Sequence, residues 1–250
     1  MEKQTMLICG ANGFIGKNLL KRFCCDSRYN VRATYFGSEP DLEFDAEWVY
    51  ADLRDAEDVS RVMQGVDVVL QYAATSTGAK DILSKPYMHV TDNALMGSLL
   101  LREAFDKKIK HFVMPSCTVM YRSSDGLISE EDFDENLGVS DTYYGAGNTK
   151  LYLEKMCKFY SGFGSMKTTV LRQSNIYGPY DDFSLDKSHV FGATIAKSMT
   201  YNDKLTVWGT GEEERDFLFV EDLVDLVDLA ITKQTEAHQL VNASTGVSVS

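Results

Sequence analysis

The 250-residue chain has few prolines (four) and few cysteines (five), and its cations are outnumbered. Its 25 Lys and Arg face 37 Asp and Glu, leaving a net charge of −12. That balance speaks against nucleic acid or an anionic membrane as partner, because both need clustered positive charge. A local site for an anionic ligand remains allowed. No apolar run reaches the roughly 18–20 residues that span a bilayer, and the hydrophobic stretch behind the N-terminus is too short for a secretory leader. Cys9, Cys24, Cys25, Cys117 and Cys157 are odd in number and irregular in spacing, which gives neither a disulfide framework nor a metal pattern. Reduced, mostly buried thiols in a cytoplasmic protein are the expectation.

What the chain does have is a glycine-rich turn directly after the apolar run Met6-Leu7-Ile8-Cys9: Gly10-Ala11-Asn12-Gly13-Phe14-Ile15-Gly16. Helical spacing then resumes at Leu19, Leu20 and Phe23. Such a turn suits a pyrophosphate. Gly10 permits the tight bend, Gly13 lets the backbone approach phosphate, and Gly16 lets the helix pack closely on the strand. The N-terminus of the helix then presents free N–H groups and the positive end of its dipole.

Strand-like runs at 6–9, 31–35, 49–50, 68–72, 111–115 and 168–173 alternate with amphipathic stretches at 17–25, 56–63, 90–105 and 149–160. This alternation predicts an α/β fold, a doubly wound parallel sheet with crossover helices. Past Tyr177 the texture changes. A loop at 178–182, a helix at 189–200, a strand at 205–208 and a helix at 221–231 predict a smaller C-terminal substrate lobe. The expected division is residues 1–177 for dinucleotide binding and 178–250 for the lobe, interleaved with the first. No repeats or low-complexity segments interrupt the chain.

Further segments join the glycine turn: Asp52-Leu53, Ala73-Ala74, Asn93, the block from Leu171 to Pro179, and Trp208-Gly209 with Arg215-Asp216-Phe217. In that order the set resembles the extended short-chain dehydrogenase/reductase family, the NAD(P)-dependent nucleotide-sugar epimerases, dehydratases and reductases. The GDP-L-fucose synthase-like members are the most similar. The resemblance implies a Rossmann fold holding the dinucleotide with Gly10, Asn12, Gly13, Phe14, Ile15, Gly16, Tyr35, Asp52, Leu53, Ala73, Ala74, Asn93 and Lys150. It also implies a nucleoside-diphosphate sugar held by Asn175, His189 and Arg215, no metal, and a homodimer built on the two long helices. Tyr35 stands at the end of the second strand, where NAD-preferring members carry an acid. NADP(H) is therefore favoured over NAD(H), with Arg32 the nearby cation. Relatives continue beyond a segment like 240–246 with more of the substrate lobe, so a truncated lobe is expected.

The family's chemistry rests on a hydroxyl residue, a Tyr and a Lys, the last two spaced Tyr-x-x-x-Lys on one helix face. Lys150 fits the lysine, but four residues before it stands Ala146. Tyr144, six before, would lie about 240° around a regular helix. Gly145, Gly147 and Asn148 are poor helix formers, which predicts a helix starting late, near Thr149, with Tyr144 on a loop able to reach the site. The hydroxyl position holds Cys117, flanked by Ser116 and Thr118, and any of the three is a candidate, Cys117 also as a relocated base. His189 matches the family's proton-donating acid, whereas the partner cysteine position holds Val119. The expected activity is NAD(P)-dependent epimerisation or reduction of a nucleotide sugar, at a 4-keto-6-deoxy hexose, with an atypical triad. The alternative is a catalytically impaired binding protein on the same scaffold.

Overall fold

A computed structural model of the chain describes residues 2–75, 84–124, 126–184, 188–200 and 209–250. The strand expected at 205–208, and with it Trp208, lies outside the described residues. Strands β1 (Gln4–Cys9), β2 (Tyr29–Tyr35), β3 (Glu47–Tyr50), β4 (Val68–Gln71), β5 (His111–Cys117), β6 (Lys167–Gln173) and β9 (His238–Ala243) form one sheet in the order β3-β2-β1-β4-β5-β6-β9. Every pairing in it is parallel. Helices α1 (Phe14–Phe23), α2 (Ala56–Val62), α3 (Thr91–Asp106), α4 (Tyr144–Ser161) and α6 (Val220–Lys233) cover its two faces.

Double coverage explains why the central strands β1, β4 and β5 read as near-continuous apolar runs. Along β1, Met6 and Ile8 pack with Leu19, Leu20 and Phe23 of α1 and Leu223 and Val227 of α6. The intervening Leu7 and Cys9 join Leu100, Leu101 and Leu153 of α3 and α4 on the other face. The strand order reverses between β1 and β4, and a doubly wound sheet opens a crevice at such a switch point, beyond the carboxyl ends of the strands.

The expected lobe is woven into this sheet. β9 pairs with β6 from Thr168↔His238 to Gln173↔Ala243, and α6 packs on α1. Ion pairs join α6 to the first helix and its following turn: Lys21–Glu221 at 3.0 Å, Arg22–Asp228 at 2.6 Å and Arg28–Asp228 at 2.8 Å. A second small sheet, β10-β8-β7, comprises β7 (Asn175–Tyr177), β8 (Arg215–Phe219) and β10 (Ser248–Val249). Rings of Tyr177, Phe191 and Phe217, with centroids 4.4–6.4 Å apart, seat helix α5 (Val190–Thr200) on it.

One local expectation fails. Helix α4 begins at Tyr144, not near Thr149, so Gly145, Gly147 and Asn148 are helical. A 3-10 turn over Asp141–Tyr143 leads into it, and Thr149 Oγ1 donates to the Gly145 carbonyl at 2.9 Å. Gly147 lies so close to Val139 that a Cβ would come within 2.6 Å of Cγ1. Tertiary fit outweighs the helix propensity lost at these positions, about 1 kcal/mol for each glycine.

Candidate active site

The glycine turn sits where the sequence placed it. Gly10 has φ +71°, and a Cβ there would lie 2.6 Å from the Ala73 backbone N. Gly13 caps α1 in extended conformation; no side chain bonds the helix N-terminus, and its first turn carries no acid. The cradle thus offers uncapped amides and bare backbone, the features a diphosphate needs. A groove of about 870 Å³ opens over it, lined by Gly10, Asn12, Gly13, Phe14, Ile15, Gly16, Tyr35, Asp52, Leu53, Ala73 and Ala74. The residues present therefore fit a dinucleotide.

Asn12 works as a brace. Its Nδ2 donates to Ser38 Oγ at 2.9 Å and to the Glu39 carbonyl at 2.7 Å, while its Oδ1 accepts from the Asp41 N–H at 3.3 Å. This fixes the loop after β2 against the turn. Asn93 does not line the groove. Its side chain clamps the backbone of Thr75, accepting from N–H at 2.8 Å and donating to the carbonyl at 3.0 Å, and so steadies the loop after β4. Asp52 receives Nε and Nη2 of Arg54 at 2.9 and 2.8 Å, and this guanidinium holds its carboxyl below the usual carboxylate range. Sequence reasoning missed Arg54, Phe36 and Ser38 as lining residues, and also the segment Tyr180-Asp181-Asp182. Adjacency to Asp52 and to the end of β2 was the available signal for the first three. The last segment is pinned to α1 by Asn18 Nδ2, which donates to the Pro179 carbonyl at 2.9 Å.

Arg32, the cation near the end of β2 in sequence, is turned away from the groove. Its Nε meets Glu47 at 2.9 Å, and Nη1 donates to the carbonyls of Val62 and Gln64 at 2.8 and 2.7 Å. Strand alternation puts its side chain off the groove.

The proton-handling residues separate. Lys150 lies on α4 with Nζ donating to the Pro115 carbonyl at 2.9 Å, and burial pushes its ammonium below the usual lysine value. Ala146 occupies the position one turn earlier on that face. Tyr144 is helical, not on a loop as expected, and 64% exposed. The Ser116 hydroxyl is also spent elsewhere, donating to Glu154 Oε1 at 2.5 Å inside a buried network. There Arg172 meets both oxygens of Glu154, at 3.1 and 2.8 Å, and donates to Tyr121 Oη at 2.7 Å. Burial pushes the Cys117 thiol up, more than the neighbouring Lys150 lowers it, which argues against a resting thiolate base. Thr118 Oγ1 keeps only a long bond, 3.4 Å, to the Gln173 carbonyl.

On the opposite rim, His189 and Asp181 line the groove together. Burial raises the Asp181 carboxyl above its usual range, against the smaller opposing effects of the Asp182 N–H, which it accepts at 2.8 Å, and of His189. Asn175 Nδ2 donates to the Asp216 carbonyl at 3.0 Å, tying β7 to β8. Arg215 is exposed, with Nη1 on the Glu214 carbonyl at 2.8 Å. Neither of these two lines the groove.

Fold and cradle together define a Rossmann-type α/β protein whose glycine turn fits a dinucleotide. Residues 6–243 match the model of the NAD dependent epimerase/dehydratase family, and the chain belongs to that family. It is similar to GDP-mannose 3,5-epimerase 1 of Oryza sativa subsp. japonica, 29% identical over 93% of this chain and 62% of that protein. It therefore spans about three fifths of that relative's length. GDP-L-fucose synthase of Azorhizobium caulinodans is 26% identical over 98% of this chain and 75% of its own. Among solved structures, UDP-glucose 4-epimerase of Thermotoga maritima, with UDP-glucose, superposes with TM-score 0.85 at 22% identity. That match covers 98% of this chain and 78% of the other, and it establishes the fold.

Proposed function

We propose that this chain is an NAD(P)-dependent epimerase or reductase of a nucleoside-diphosphate sugar, acting at a 4-keto-6-deoxy hexose. The observation that carries this is the groove at the switch point, where an uncapped helix N-terminus and bare glycine backbone meet eleven of the expected cofactor residues. When bound, a nicotinamide dinucleotide would supply hydride exchange at a sugar carbon. The turn amides of α1 would hold its diphosphate and Lys150 its ribose hydroxyls. His189, with Asp181 beside it, supplies the proton to the sugar. Thr118 is the hydroxyl left to orient the reacting oxygen, since that of Ser116 is committed to Glu154. Arg215 and Asn175 of the small sheet serve the sugar nucleotide, Arg215 through its guanidinium fork, and residues 178–250 contribute the substrate side. Two copies pair through α3 and α4.

The test is oxidation of NADH and NADPH with a panel of 4-keto-6-deoxy nucleotide sugars. Turnover is expected for the native protein, with kcat reduced about tenfold or more in His189→Asn and unchanged in Tyr144→Phe. A second reading, a binding protein that has lost turnover, is favoured by Ala146 on the face of Lys150 and by the exposure of Tyr144. Saturable binding of dinucleotide and sugar nucleotide without any turnover would select it.

A further inference from the structure

Resting on the dinucleotide reading of the groove, we propose that the site selects NAD(H) over NADP(H), and that Asp52 and Asp92 set this choice through Arg54. The two cofactors differ by one phosphate on the adenosine ribose, a group carrying nearly two negative charges at neutral pH. In a doubly wound fold that ribose lies beyond the end of β2. Tyr35, Phe36 and Ser38 line the groove there, and Asp52 and Arg54 face them from the loop after β3.

A 2′-phosphate requires a cation with charge to spare. Arg54 is the one Lys or Arg among the described lining residues, and its guanidinium is 5.3 Å from the Phe36 ring centroid. It is already committed. Nε and Nη2 bind the two oxygens of Asp52, and Nη1 binds Asp92 at 3.0 Å. Two carboxylates around one guanidinium leave this corner with a surplus negative charge. The neighbouring cations are engaged in the same way: Lys17 with Asp41 at 2.8 Å, Arg61 with Asp58, and Arg32 with Glu47.

Tyr35 removes a carboxylate from the end of β2, a change that taken alone would admit the phosphate. Asp52, in the groove lining, and Asp92, bonded to Arg54, return negative charge to this corner. A 2′-phosphate would have to break the Arg54 fork to find a partner, whereas a ribose hydroxyl, neutral and able to donate, suits the carboxylates as they stand.

Titration calorimetry with NADH and NADPH tests this on the whole chain. In low salt the dissociation constant for NADPH is expected to be at least about tenfold the larger, and the gap to shrink in about 0.5 M salt as the repulsion is screened. Asp92→Asn removes one of the two carboxylates and should narrow the ratio several-fold. Ser38→Arg, which sets an additional guanidinium beyond β2, should reverse it. NADPH binding as tightly as NADH in the native protein would overturn the proposal. A ratio that ignores salt and Asp92→Asn would overturn the role given to the acidic pair. If neither dinucleotide binds, the groove is not a cofactor site, and the functional reading beneath this inference falls with it.

Discussion

Gly10 is where conformation and ligand access meet. Its positive φ and the 2.6 Å approach a Cβ would make to Ala73 leave no room for a side chain. Gly10→Ala is expected to cost about 1–3 kcal/mol of stability and to abolish dinucleotide binding. Thermal melts with and without NADH would check this, and a ligand-induced shift surviving in the variant would contradict it. His111 supports a second prediction. It is buried, hydrogen-bonded to Thr169 Oγ1 at 2.7 Å, and burial lowers its pKa to about 4. The unfolded chain therefore binds the proton first as pH falls, and stability present above about 6.5 is lost on the way down to about 4. The free energy of unfolding should fall through that window by on the order of 2–3 kcal/mol, and His111→Gln should flatten the decline. At this scale the sequence was legible where backbone chemistry dictates the residue, as at Gly10. It was not legible where a side chain could choose among partners. Nothing in Pro115-Ser116-Cys117-Thr118 announces that Ser116 belongs to Glu154, because that bond depends on a helix 38 residues away in sequence.

Among the elements, α4 is the instructive case. Its start was expected late because local propensity was allowed to decide, and packing against Val139 decided instead. The central strands β1, β4 and β5 suffered no such ambiguity, since burial on both faces writes them as near-continuous apolar runs. β9 went unread: it has no fully apolar stretch, and its residues are mostly half-buried at the sheet edge. The regular helix also makes the missing phenol testable. Ala146→Tyr rebuilds the Tyr-x-x-x-Lys spacing at a half-buried position. If proton transfer limits the native protein, turnover with a 4-keto nucleotide sugar should rise by about tenfold or more. An unchanged rate would place the limit elsewhere and disconnect Ala146 from the chemistry.

For the whole molecule, the outer face of α3 and α4 is where the proposed second copy would dock. Leu95, Tyr152, Phe159 and Phe163 are 42–61% exposed on or beside these helices, and Phe159 and Phe163 stack with Tyr160 and Phe105. Exposed apolar clusters are common at association surfaces. Sedimentation should report a dimer, and Phe159→Glu should shift it to monomer at micromolar concentration with the melting temperature little changed. A native monomer at high concentration would remove the dimer from the proposal.

Between β8 and β10 of the small sheet, the chain crosses back to lay β9 along the large one. Each sheet therefore owes an edge strand to the residues from 238 onward, and a cut before that position would strip an edge from both.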